Sequence, residues 1–580
     1  MKFFWVLCIV FGCLFDVKGQ LTPEHFSADT ITYNFRTGGS SDSADFSLKR
    51  LIGTTPGGGN DFPSLVPTID FFNSYRNGNR FSVKEQWLKP TFSGLPHIGL
   101  AYTFGAVGTS LAQLNYQQVF AKQLLVNLKF KNDRGNTQLR NGVYRMNDID
   151  VLLMRQGKIW STSLDFKDHV NQSNLNNGLD TSADLSLFDL SFQPVQRLNA
   201  QSKFRTTDLR WKNFFSIVHF DSLTALGILT EHRLAIQSRK YSETDSLQNY
   251  YSFIQFDTIS TNDKFQWSQT MQQAGLFFKN RNIYTSIQAQ GTYWKYYNQG
   301  ERDTVELAVL GTIKLNVKGW ELAANARINI TGAGQGWSGN ATILKKWNRI
   351  AWNLNVELDN EWASPFLRYY SANNALYNNY ASLQKQFRAT LRNDLKFKFN
   401  EKIHFLLSVK NSFFDRNLFF DSTAWNFIPV QAFNIQEFKL RASWEPKFLL
   451  IQPEYAFTLT NGIGNFIPQN QAKLRVMAKG KLFKAKKLLA WAGVDLHYFS
   501  SSRLLAFNPS MDVYQLQSQE VQNGLFNLHL FAGLQIDEFR FFVRYENLGY
   551  LWNDHSQRVL VNYPIPGGAL QVGLTWDFFN

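Results

Sequence analysis

Between Trp320 and Thr331 the chain changes character at every residue. Trp320, Leu322, Ala324, Ala326, Ile328 and Ile330 take the even positions, and Glu321, Ala323, Asn325, Arg327, Asn329 and Thr331 the odd ones. Side chains of an extended chain point to alternate faces, so one face of this segment suits an apolar surround and the other suits water. The same period returns further on. Ile350, Trp352, Leu354, Val356 and Leu358 oppose Arg349, Asn353, Asn355, Glu357 and Asp359. Phe387, Ala389, Leu391, Leu395 and Phe397 oppose Arg388, Thr390, Arg392, Asp394, Lys396 and Lys398. Leu474, Val476 and Leu482 oppose Lys473, Arg475, Lys479 and Lys481. Period two alone would suit any half-buried strand, and length separates the cases. These runs hold roughly 9–13 residues, as a tilted membrane-crossing strand requires, against about 5–6 in an average globular strand.

The connections form a second pattern. Toward the C-terminus, tight links at Asn400-Glu401-Lys402, Pro446-Lys447, Phe483 to Lys487 and Asp537-Glu538 alternate with long segments near 364–385, 415–436, 460–471, 500–524 and 548–568. Outer-membrane barrels have short periplasmic turns and longer outer loops, and a soluble sandwich has no reason to keep that rhythm. The predicted fold is all-β, a transmembrane antiparallel β-barrel. Counting back from the C-terminus gives about 22 strands beginning near His97, with both chain ends on the periplasmic side. The stretches 98–120 and 203–258 divide less cleanly and leave even counts of 18 or 20 open.

Composition agrees. Aromatic residues make up 16% of the 580-residue chain while hydrophobic residues total only 44%, as expected when apolar surface is spread over many alternating strands. After the N-terminus there is no apolar run near 18 residues, which excludes a helical membrane protein. The N-terminus itself, MKFFWVLCIVFGCLFDVKGQ, reads as a secretory signal cut after Gly19, with a lipoprotein box at Val10-Phe11-Gly12-Cys13 as the competing reading. Both cysteines, Cys8 and Cys13, lie inside it, so the mature chain has no thiol to mispair in an oxidising compartment and no thiolate metal site. Residues 20–96, with Thr37-Gly38-Gly39-Ser40-Ser41, Pro56-Gly57-Gly58-Gly59-Asn60 and several prolines, stand outside the strand pattern. They are expected to form a periplasmic or partly lumen-occluding segment ahead of a barrel over 97–580.

The net charge of +15 is dispersed, not blocked, and an exported chain has no nucleic acid to meet. The lumen-facing parity accounts for it. On the clearest strands after residue 304 that parity carries seventeen Lys or Arg against eight Asp or Glu. Rings of such residues favour anions in pores. The pore-lining candidates are Arg327, Arg388, Arg392, Lys396, Lys398, Lys473, Arg475, Lys479 and Lys481. Cross-strand pairing and contact with lipopolysaccharide-like headgroups would be the alternative use of these charges.

Catalytic signatures are missing. The sequence has no HExxH, GxSxG, P-loop or dinucleotide fingerprint. Gly336-Trp337-Ser338-Gly339 approaches a nucleophile elbow, but Asn340 breaks it, and His219 and His232 fit no metal-ligand spacing. Neither an enzyme nor a cofactor is expected.

The C-terminus carries a more specific pattern: Tyr563-Pro564-Ile565-Pro566-Gly567, then a final strand ending Trp576-Asp577-Phe578-Phe579-Asn580. It resembles the end of the "putative porin" family of Bacteroidota outer membranes, whose pattern is roughly Tyr-Pro-x-Pro-Gly-Arg followed by an alternating strand ending Trp-x-Phe. Gly568 stands here in place of the usual Arg. Residues 109–178, with Asp133-Arg134-Gly135 and Asn141-Gly142 between strands, also look like the family's early region. The resemblance implies an outer-membrane barrel whose aromatic last strand is read by the barrel-assembly machinery. Residues and resemblance together lead to an expected outer-membrane channel for passive diffusion of small hydrophilic solutes, with a preference for anions. The alternative is a closed barrel serving as a binding or assembly scaffold through its loops, notably 364–385 and 500–524. The small N-terminal segment argues against energised uptake.

Overall fold

The computed structural model describes residues 96–580, apart from 121–122, 158, 181, 184–189, 221–223, 245–250, 252, 299, 332–335, 364, 380–383, 422–425, 486, 518–519, 552–556 and 580. The expected signal sequence 1–19 and all but the last residue of the 20–96 segment lie outside the described residues. A single 22-stranded antiparallel sheet runs from His97–Gly105 to Ala569–Phe579, each long strand bonded to the next in chain order. The last strand pairs with the first, His97 opposite Phe579 and Gly105 opposite Gln571, so the sheet closes on itself. Closure removes the two edges that would otherwise carry unpaired N–H and C=O groups.

The two faces divide as the alternation requires. On Trp320–Thr331, Trp320, Ile328 and Ile330 stand exposed on the outer wall. On the neighbouring strand Glu301–Val317, Glu306 and Ala308 are buried toward the interior while Val305, Leu307 and Val309 are exposed. These outward chains form the apolar band, and Trp320 meets Trp352 edge-on, with ring centroids 6.1 Å apart, at one margin of it.

The rims differ. At one, strands are joined by links as short as 318–319, 401–402 and 537–538. Lys318 and Gly319 both have positive φ, 51° and 75°, the conformation that a two-residue hairpin matched to strand twist requires. His97 and Phe579 also lie at this rim. At the other rim the links include 175–200, 244–260, 362–385, 416–432, 500–524 and 547–568. The barrel wall is tallest where Gln201–His219, Ala225–Glu243 and Thr261–Lys279 run for 19 residues each. On the middle one the outward row holds Leu226, Ile228, Leu234 and Ile236, with Thr230 and His232 between them, and is then wholly polar at Ser238, Lys240 and Ser242, so this part of the wall rises past the band toward the long-loop rim.

Ala326 shares the outward parity of Ile328 midway along its strand, whereas Asn325 faces the lumen. Ala326→Arg should therefore destabilise the membrane-inserted barrel by about 2–4 kcal/mol, and Asn325→Arg by much less. Denaturant unfolding in lipid vesicles would measure both.

Candidate functional site

The long loops fold back over the mouth of the barrel. Segment 500–524 joins the nineteenth and twentieth strands of the ring and contains two short ladders, Ser502–Arg503 with Val521–Gln522 and Ala506–Asn508 with Val513–Gln515. The second ladder extends into a four-stranded sheet with Leu418–Asp421 and Asn426–Pro429 from another loop, through a parallel bridge between Phe420 and Gln515. At its tip the carbonyls of Ser510 and Pro509 accept hydrogen bonds of 2.7 and 2.8 Å from the guanidinium of Arg239. Arg239 is 2% exposed and stands on Ala225–Glu243, the seventh strand. The loop thus crosses from one side of the ring to a distant part of the wall and is held there.

Two apolar clusters fill the space beneath. One unites inward wall residues Phe204, Phe265 and Tyr296 with loop residues Phe366, Tyr370, Tyr377, Phe420, Phe427, Met511 and Val513. Its rings meet edge-on, Phe265 to Tyr296 at 4.9 Å, Phe366 to Tyr370 at 5.1 Å and Phe265 to Phe366 at 5.4 Å. Such pairs contribute about 0.5–1.5 kcal/mol each beyond the area they bury. The other cluster gathers Phe414, Phe419, Phe433, Phe466, Tyr514, Tyr563 and Ile565 from several loops and strand ends. The Tyr563-to-Gly567 motif is therefore part of the closure: Tyr563 is 1% exposed, and Gly567 exchanges two hydrogen bonds with the Gln138 amide, at 2.8 and 3.3 Å. A Cβ at Gly568 would come within 2.5 Å of the Tyr545 Oη, so this chain's departure from the usual Arg fits its packing.

Polar pins fix the loops to one another. Hairpin Tyr369–Ala372 with Ala375–Asn378 docks through Asn373. Its Oδ1 accepts from the N–H groups of Phe256 and Asp257, both at 2.9 Å, while its Nδ2 donates to the Asp257 carbonyl at 2.7 Å. Tyr296 Oη donates to the Tyr369 carbonyl at 2.7 Å. Arg197 forms a buried ion pair with Glu243, whose other oxygen accepts from Tyr251 and Tyr241 at 2.7 and 2.9 Å. The Arg197 guanidinium also covers the Tyr251 ring at 4.6 Å. Burial, against the pull of the Arg197 charge, raises the Tyr251 phenol above its ordinary range and keeps it a donor.

All nine pore-lining candidates stand on inward parities of the wall, but the structure does not bring them together as one cationic ring. Arg388 pairs with Asp359 and lies 3.8 Å from Glu357, Arg392 meets Asp394 at 3.0 Å, and Arg475 contacts both oxygens of Asp495, at 2.8 and 3.3 Å. Lys479 pairs with Glu445, Arg327 is 4.0 Å from Glu306, and Lys473 sits opposite Glu454 in the strand register. Lys396, Lys398 and Lys481 are exposed toward the short-turn rim and make no ion pair among the described residues. Two adjoining hollows in this part of the wall, of about 600 and 360 Å³, share Lys346, Ala351 and Lys396.

Arg239, Asn373, Arg197 and Glu243 were not among the residues expected from the sequence to matter. One signal was present: Tyr370 to Tyr377 alternates around Asn373-Asn374, the pattern of a tight hairpin, inside a segment read as a loop. Arg239 and Glu243 carried no such signal, because their partners lie in other loops.

A family profile described as "Putative porin" matches residues 126–580. The chain belongs to this family. Members of the porin family and large barrels of this kind reside in the bacterial outer membrane, and so does this one. No curated protein matches the sequence. Among solved structures, this porin-family chain is similar to the copper transporter OprC (TM-score 0.62, 9% identity, 85% of this chain and 82% of that one). It is also similar to the ferripyoverdine receptor of the outer membrane of Pseudomonas aeruginosa bound to ferripyoverdine (0.58, 11%, 85% and 72%). A third is BauA, the ferric preacinetobactin receptor from Acinetobacter baumannii (0.54, 12%, 84% and 80%). At such identities the likeness concerns the fold.

The expectation of passive, anion-preferring diffusion is corrected on two findings. The three similar barrels named above are two receptors and a metal transporter by name, not diffusion pores. The mouth, moreover, is bridged by segment 500–524 on a packed apolar bed. Counting charges on one parity missed this because it treated the loops as strand connectors and left the cross-strand pairing of the lumenal cations as the alternative.

Arg239→Met removes two charge-assisted hydrogen bonds, worth about 1.5–3 kcal/mol each. Segment 500–524 should then be cut by protease and exchange its amide hydrogens faster while the 22 strands stay protected. Arg197→Met should cost about 3–5 kcal/mol locally, because the Glu243 carboxylate stays buried without its cation. Proteolysis within 175–200 and 244–260 of the folded barrel would report it.

Proposed function

We propose that this protein is an outer-membrane binding barrel: a closed scaffold whose folded long loops form the working surface. The observation that carries the reading is the strap 500–524, pinned by Arg239 and seated on the aromatic bed of Phe265, Tyr296 and Phe366. A loop that merely joined two strands would have no reason to bury Met511 and Val513 against a distant wall. Contacting loops at the same rim leave large apolar side chains in water, among them Phe192, Phe256, Ile259 and Leu376, which are 80%, 57%, 74% and 48% exposed. Exposed apolar groups rimmed by polar loops suit capture of a ligand. The names of similar solved barrels, a ferripyoverdine receptor and a ferric preacinetobactin receptor, support a binding role over free diffusion. In this reading the long loops face outward from the cell and the short turns face the periplasm, and the barrel carries out no chemistry.

Folded protein in a planar bilayer should show no steady ohmic conductance. Replacing residues 504–516 by a short Gly-Ser link should open stepwise conductance by releasing the strap. A wild-type barrel that conducts steadily would overturn the proposal. Sidedness is tested separately. Both native cysteines precede residue 14, so Leu376→Cys introduces one thiol at the long-loop rim. An impermeant maleimide should label it on whole cells.

A further inference from the structure

Cations also collect on the outer wall. Lys203 lies directly opposite Lys240 in the register of Gln201–His219 with Ala225–Glu243, and Lys240 lies directly opposite Lys264 on Thr261–Lys279. All three side chains are exposed and share the parity that points away from the lumen, since their neighbours Phe204, Arg239 and Phe265 are buried inside. Neighbouring strands are about 4.8 Å apart, so three ammonium groups stand in a row spanning roughly 10 Å. Like charges directly opposite one another destabilise a sheet. Local compensation is missing: none of the three has a carboxylate partner among the described residues. The carboxylates nearest in sequence, Glu243 and Asp263, face the interior and are engaged there by Arg197 and the Asn373 N–H. Asp168 on the outer wall is taken by Arg205 at 3.0 Å.

The surround is suited to an oxygen-rich anion. In the register above the lysines lie Gln201, Ser242 and Asn262, and below them Arg205, Ser238 and Gln266. Depth decides the source of the anion. Lys240 is four residues beyond Ile236, the last apolar residue of its own outward row, and Lys203 is six beyond Leu209 in the row beside it, while the row of Lys264 is polar from Asn262 to Gln272. Four residues are about 13 Å along the strand and roughly 10 Å in height once the strand is tilted. That is the headgroup zone of the leaflet on the long-loop side, and a lysine stem can lean over the apolar margin while its charge stays in that zone. Tyr297, 5.9 Å from the Lys264 ammonium by its ring centroid, supplies an amphipathic ring at the same level.

We propose that Lys203, Lys240 and Lys264 form a binding site for the phosphorylated headgroup of an outer-leaflet glycolipid. The site is independent of whatever the mouth captures, and rests only on the long-loop rim facing outward. Wild type, Lys203→Gln/Lys240→Gln/Lys264→Gln and the corresponding triple Arg variant would be refolded in one detergent and checked by heat-modifiable gel mobility. Each would be titrated with bisphosphorylated lipid A and with its dephosphorylated form, bound lipid being read by native mass spectrometry. Wild type and the Arg variant should retain the phosphorylated lipid, the Gln variant should lose at least tenfold in occupancy, and the dephosphorylated form should bind none of them. Equal retention by wild type and the Gln variant, or equal binding of the two lipids, would overturn the site. Displacement by millimolar inorganic phosphate would overturn the lipid as its occupant. Lys240→Gln alone gives the same reading if the triple variant does not fold. Labelling of Leu376→Cys on whole cells reports a failure of sidedness apart from a failure of the site.

Discussion

In a hydrocarbon medium an unpaired peptide N–H or C=O has no water to turn to, and each one costs several kcal/mol. That constraint governs this molecule. It requires every strand to have two neighbours, and the pairing of His97–Gly105 with Ala569–Phe579 provides the last of them. Once the ring is closed, the outer face must be apolar and the inner face is free to be anything else. Strict alternation along each strand is the sequence-level form of that division.

A ring of 22 strands encloses more space than its own inward side chains can fill. The interior changes along the barrel to meet this. Toward the short turns the wall carries hydrated charges such as Lys396, Lys398 and Lys481. Toward the long loops it turns aromatic, with Phe204, Phe265 and Tyr296, and the loops bring in their own rings to cover them. The result is a second hydrophobic core, outside the bilayer and built like that of a soluble domain. Its energetics are those of burial in water, whereas the barrel below is held by backbone pairing in lipid.

Apolar packing alone would let several loop arrangements compete. The buried polar contacts are directional and fewer arrangements satisfy them. Arg239 accepts no substitute for two carbonyls placed side by side, and Asn373 uses its carbonyl oxygen, its amide nitrogen and its backbone N–H on Phe256, Asp257 and Asp263. Glu243 is tolerable in a dry site only because Arg197 and two phenols converge on it. On the outer wall the same balance is left unfinished by three opposed lysines, which points beyond the chain to the membrane.

The sequence by itself determined the class of fold, the strand parity, an even strand number of about 22 and the alternation of short and long links, while the register of the closed sheet settled the number at 22. Each depends on a local period: two residues per pleat, a bilayer-length run, a turn of a few residues. Trp320 and Arg327 had to part company whatever the rest of the chain did. Only the tertiary structure decided whether the mouth is open. That depends on Pro509 and Ser510 meeting Arg239 some 270 residues away, and on Gly567 meeting Gln138, contacts between loops with no periodicity to align them. It also decided the meaning of the lumenal charge, because Arg475 beside Asp495 and Arg388 beside Asp359 are neighbours across a ladder and not along the chain. A one-dimensional pattern records which face a residue takes; what meets it on that face is set by register and by loops folding across the ring.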